Sequence, residues 1–184
     1  IAQNGDPKKE PIAFAQSYFA VQTRKQEIHE QLIEDSKRVL LRGEMKEQNK
    51  NLTKVASEAG VLNYANFQDY GYIGLYAGMR QKDIKAKKKL KKNEAILDHM
   101  GSEELAANLF RTTQTQSKLK RENIQGEGMA NQTHYSVGKK IRQTIKELGG
   151  TMPEKLQTSE HIRESKKRLG KSKKTLTEVS REDL

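Results

Sequence analysis

The sequence contains no cysteine and no tryptophan, three prolines, and 5% aromatic residues. Without cysteine there are no disulfides and no thiolate metal sites, which fits a reducing compartment. No apolar run is long enough to span a bilayer and no signal peptide is visible, so no membrane partner is expected. Hydrophobic residues are 33% of the chain. That supports a small helical core and not a large one. Acidic residues are also in short supply. Asp and Glu number 24 against 35 Lys and Arg, leaving a net charge of +11 over 184 residues.

Catalytic signatures are missing too. The four histidines, His29, His99, His134 and His161, are scattered and form no His-Glu-x-x-His zinc motif. No glycine-rich loop runs into a Lys-Ser/Thr helix start. Glu103 and Glu104 are adjacent, so they diverge on a helix and cannot act as a paired acid and base. His134 falls nearly in line with Ile141 on an apolar face, the position of a core histidine. The expectation is a non-enzyme with no catalytic residue, no metal and no cofactor.

The positive charge that is present is clustered. Almost all of the excess lies in residues 81–100, at +4, and 139–184, at +6, while residues 1–60 are nearly balanced. Clustered cations suit a polyanion, because each neutralised phosphate releases counterion. On a helical wheel for 82–97, Ala86, Leu90 and Leu97 share one side. Lys85, Lys88 and Lys92 share the other, with Lys89 and Lys91 flanking. A later helix carries Val137, Ile141, Thr144 and Leu148 on one face, with Lys139, Lys140 and Arg142 opposite or beside them. Lys85, Lys88, Lys89, Lys92, Lys139, Lys140 and Arg142 are therefore the expected phosphate contacts. The bland alternative is a solvated face that keeps the protein soluble.

The remaining pattern is helical throughout. Phe14, Tyr18, Val21, Ile28 and Leu32 recur at helical spacing. A second register runs Leu41, Met45, Gln48, Leu52, Val55, Ala59, Leu62. With no Gly or Pro near residue 35, one long helix with a register change is preferred over a hairpin, ending at Gly60. Residues 63–79 hold four of the six tyrosines and read as a short helix with a looser second half. Their aromatics fill the core or stack on unpaired bases. Gly101-Ser102 separates two helices. In the helix it opens, Leu105, Leu109, Thr113 and Gln116 line the packed face and Arg111 lies on the other side. Residues 124–132, with Gly126-Glu127-Gly128, read as a loop, and Asn131 or Thr133 caps the next helix. From Thr158 onward the chain reads as a basic tail, disordered when free.

Four stretches resemble the bacterial DNA-damage-inducible protein D family: Gln3 to Pro7, Tyr18 to Glu27, Leu90 to Thr115, and Arg142 to Glu154. They span roughly residues 1–155. The resemblance implies induction in the SOS response and a role in modulating the recombinase filament on single-stranded DNA. It also implies that residues 1–27 are the end of a Bro-N-like domain, and the start at Ile1 reads as a piece of a longer protein. No catalytic residues carry over.

The expected fold is all-α. It has a Bro-N-like end at 1–27, a helical arm at 28–62, a helical bundle at 63–155 and a flexible basic tail at 156–184. The expected function is non-catalytic binding of DNA, single-stranded or in a recombinase filament, by a cytoplasmic, nucleoid-associated protein. The alternative is a phage-antirepressor-like interaction module that binds a repressor or forms a homo-oligomer through its helices, the 41–62 repeat in particular.

Overall fold

In the computed structural model, the backbone is described for residues 10–182 and side chains for residues 16–173. Among the described residues there are six α-helices and no strand: α1 Glu10–Glu58, α2 Tyr64–Leu75, α3 Gln81–Lys87, α4 Ser102–Arg121, α5 Glu127–Glu147 and α6 Ile162–Glu182. Short 3-10 turns lie at Ile96–His99 and Pro153–Lys155. The fold is all-α, with the long N-terminal helix unbroken through Asp35. Of the stretch assigned to a Bro-N-like end, residues 1–9 lie outside the described residues and 10–27 belong to α1.

The two registers of α1 meet different surroundings. Met45, Leu52, Val55, Ala56 and Ala59 are all buried, at the 3–4 spacing of one helix face. Tyr18, Val21 and Ile28 stay about half exposed. The 41–62 repeat thus belongs to the chain's own core, apart from Leu62, which is exposed. That corrects its expected use as a self-association surface. Gly60 ends the helix region in a left-handed conformation, φ 85°, with Val61 N–H donating to the Ala56 carbonyl.

Helix α4 is the central element, packed by α1 on one side and α5 on another. It therefore buries residues around much of its circumference: Leu105, Asn108, Arg111, Thr112, Thr115 and Leu119. Helices α2 and α5 cross backbone to backbone. A Cβ on Gly138 would sit 2.6 Å from the Gly71 carbonyl oxygen, and one on Gly74 would sit 2.3 Å from that of Tyr135. Glycine is what allows this approach. One apolar cluster gathers Met45, Leu75, Tyr76, Ile84, Ile96 and Leu105. A second gathers Leu52, Val55, Phe67, Leu119 and Ala130.

The segment expected to be a disordered tail enters this fold. Ile162 and Ser165 are buried and α6 packs on α1. Arg168 donates to both oxygens of the buried Asp35 carboxylate at 2.6 and 2.8 Å and also pairs with Glu160. Burial alone would raise the Asp35 carboxyl. Hydrogen bonds from Arg168, Ser165 and Gln31 outweigh that and hold it below its ordinary value. Composition suggested disorder because so few apolar groups are present. Polar anchors docked the segment instead.

Candidate nucleic-acid interface

The lysine segment is a helix only as far as Lys87. Lys89 then takes the left-handed conformation, φ 55°. Its N–H donates to the Ala86 carbonyl, and the N–H of Leu90 donates to that of Lys85. This pair of bonds is a Schellman ending on a non-glycine residue. The continuous wheel for 82–97 is thereby corrected. Ala86 is exposed, and Ile84 is the residue this helix buries.

The seven expected contacts separate. Lys88 is buried, its Nζ 2.8 Å from Oε2 of Glu104, whose side chain has no exposure. It cannot meet a phosphate without leaving that carboxylate alone in the core. Arg142 is also committed. Its two Nη atoms donate to the Glu154 oxygens at 2.6 and 2.7 Å, and Nη1 also donates to the Leu75 carbonyl at 3.1 Å. That ties the end of α2, where a cation suits the helix dipole, to the Pro153–Lys155 turn. The Arg142 hydrogen bonds hold the Glu154 carboxyl low. Lys85 is half-buried and its ammonium donates to the Lys92 carbonyl. Lys89, Lys92, Lys139 and Lys140 are exposed, as expected of contacts, and so are Lys87 and Lys91. Lys87 and Lys155 rim a groove of about 420 Å³ with Tyr76 in its wall.

Beneath this surface lies a buried polar chain that residue types alone did not reveal. The Tyr76 hydroxyl donates to Glu104 at 2.9 Å, and Asn108 Nδ2 donates to the Tyr76 hydroxyl at 2.7 Å. Arg111, fully buried, donates to Asn108 at 3.3 Å. Its guanidinium lies over the Tyr72 ring, 4.5 Å from the centroid. His134 accepts from Arg111 Nη1 through Nε2 at 2.6 Å, so its Nδ1 carries the proton and donates to the Phe67 carbonyl at 3.0 Å. Burial, aided by the Arg111 charge, pushes the His134 ring well below its ordinary value. Burial lowers Arg111 and raises Glu104, although Lys88 and Tyr76 oppose the second shift. His134 is the core histidine that its place on the apolar face predicts. Tyr72 and Tyr76 are buried, so neither presents a ring for base stacking.

A second basic surface was missed because 156–184 was read as a tail. Arg42 and Lys46 of α1 and Arg163 and Lys166 of α6 line a groove of about 400 Å³. The docking stripe was legible in principle as Ile162, Ser165 and Leu169, at i, i+3 and i+7, with a small polar residue in the middle. Among the described residues, no three His, Asp or Glu side chains gather to hold a metal ion. No helix among them is long and apolar enough to cross a membrane.

These features define a helical domain with solvent-facing cationic surfaces around a closed polar core. The family model of the DinD C-terminal domain matches residues 32–165, which includes the start of the segment docked on α1. The chain belongs to that family. It is 57% identical over 166 residues to the DNA damage-inducible protein D of Escherichia coli (strain K12), an alignment covering 86% of this chain and 61% of that protein. The chain thus spans about three-fifths of the length of that relative. No solved structure matches it.

Proposed function

We propose that this chain acts in the bacterial DNA-damage (SOS) response as a non-catalytic protein. In this reading it binds the backbone of single-stranded DNA, free or within a recombinase filament, and so modulates strand exchange. The observation that carries the reading is the run of exposed cations Lys87, Lys89, Lys91 and Lys92 on the α3 turn, with Lys139 and Lys140 on α5. None of these six ammonium groups is engaged by a carboxylate among the described residues. The relative's identity as a DNA damage-inducible protein supports the biological setting. Such contacts hold phosphates and read no bases, so affinity falls steeply with salt. Fluorescence anisotropy of a labelled oligo(dT) across a salt titration tests this. Charge reversal at Lys89, Lys91 and Lys92 is expected to weaken binding by tenfold or more at low salt. Unchanged affinity would remove the α3 turn from the interface. Adding the variants to a recombinase strand-exchange assay tests the second half of the proposal.

A second reading has its own support. Tyr18, Val21 and Ile28 lie on the outlying part of α1, each about half exposed at 53%, 52% and 48%. That stripe suits a protein partner or a second copy of the chain better than it suits phosphate. Light scattering that shows a dimer persisting at high salt would favour this reading.

A further inference from the structure

The groove between α1 and α6 differs from the rest of the basic surface in how its charges are balanced. Arg42 Nε donates to Asp98 Oδ1 at 2.7 Å, and His161 Nε2 stands 3.8 Å from the other oxygen of that carboxylate. The acidic group in the groove wall is therefore already engaged. Lys46, Arg163 and Lys166 are exposed, line the same groove and meet no carboxylate among the described residues. Their neighbours along the same helices are paired: Lys50 with Glu47, Lys167 with Glu164, and Arg168 with Asp35 and Glu160. Lys46, Arg163 and Lys166 thus stand together at the groove without a carboxylate, whereas the other cations of α1 that lack one, such as Lys37 and Lys54, lie away from it.

Two further features point the same way. Arg163 stands in the first turn of α6, where the helix dipole is positive and a cation is unfavourable. Its placement does nothing for helix stability and adds to the positive potential. Gly43, at the groove wall, has nothing within 4 Å of where a Cβ would be, so the floor is open to an incoming group. A volume of about 400 Å³ is enough to take part of one strand.

We propose that this groove is a second phosphodiester-binding site, separate from the α3 turn, in which Lys46, Arg163 and Lys166 hold the backbone of single-stranded nucleic acid. It rests on the nucleic-acid reading above and adds to it a second set of backbone contacts.

The test uses the full chain and a labelled oligo(dT) in anisotropy titrations from low to high salt. Replacing Lys46, Arg163 and Lys166 together by alanine is expected to weaken binding tenfold or more at low salt. The slope of log affinity against log salt should fall by about 2, since each single-strand phosphate contact contributes roughly 0.7. Gly43→Glu, which places a carboxylate in the open floor, should weaken binding in the same direction, while Gly43→Ala should leave it unchanged. Circular dichroism melts of all three variants check that the fold is intact. If the unsubstituted chain binds no oligonucleotide, the nucleic-acid reading and this site fail together. If it binds and the triple variant keeps both affinity and slope, the groove alone is overturned and the α3 turn stands. If Gly43→Glu has no effect while the triple variant does, the cations act outside the groove and the site as described is wrong.

Discussion

Two regions of the buried polar chain meet at Asn108, and they balance their positive charge in opposite ways. Lys88 faces a full carboxylate, Glu104, with Tyr76 donating to the same group. Arg111 has no carboxylate. It lies over the Tyr72 ring and against the neutral His134 imidazole and the Asn108 amide oxygen. The first arrangement is an ion pair whose halves depend on each other. The second is a cation held by neutral acceptors and a π face. Removing one partner should therefore have a different cost on each side.

The largest effect is expected for Lys88→Met. It leaves Glu104 buried and uncompensated, and chemical denaturation should show a loss of ~3–5 kcal/mol. Adding Glu104→Gln should recover most of that loss, because no orphan charge remains. Gly71→Ala strikes the other side. Its Cβ would fall 2.0 Å from Arg111 Nη1 and 2.3 Å from His134 Nε2, and a loss of ~1–3 kcal/mol is expected from the forced shift. Arg111→Met should cost about 1–3 kcal/mol, for the unpaired His134 and Asn108 acceptors. A cost of Arg111→Met equal to or above that of Lys88→Met would erase the contrast.

The smallest effect is a slope. The folded state holds His134 neutral, whereas an unfolded histidine takes up a proton near pH 6.5. As pH falls below about 6.5 the unfolded chain binds the extra proton, so stability declines by up to ~1.4 kcal/mol per pH unit. His134→Gln should flatten this dependence between pH 6.5 and 5.5, whatever it does to stability at neutral pH. Equal slopes in the two proteins would mean that the buried imidazole is protonated in the fold.

The helical class, the long α1 and the burial of His134 were legible because each is written as periodicity within one element. The end of α3 was not. A left-handed Lys89 gives no glycine or asparagine to mark it, and the carbonyls of Lys85 and Ala86 are capped by backbone alone. The fate of Lys88 was equally hidden. Its pairing with Glu104 joins a chain turn to a helix start 16 residues away, and a wheel sees only neighbours three or four apart. Arg111 was placed on the solvent side because α4 was read as having one packed face. As the central helix it has several. The α1–α6 groove depends on residues more than a hundred positions apart, which no local pattern encodes.

Arg38 has a consequence for the order in which the domain is completed. Its guanidinium donates to the Met100 carbonyl at 3.0 Å, the Glu160 carbonyl at 2.7 Å and the Ser165 hydroxyl at 2.8 Å. These partners follow it in the chain by 62, 122 and 127 residues. During synthesis Arg38 emerges long before the groups that satisfy it, the Met100 carbonyl arriving first and the Ser165 hydroxyl last. The chain closes on itself only when residue 165 arrives, over a loop whose entropic cost is among the largest the fold meets. The start of α6 is then the latch that closes onto α1, and the groove beside it does not exist until that latch is shut.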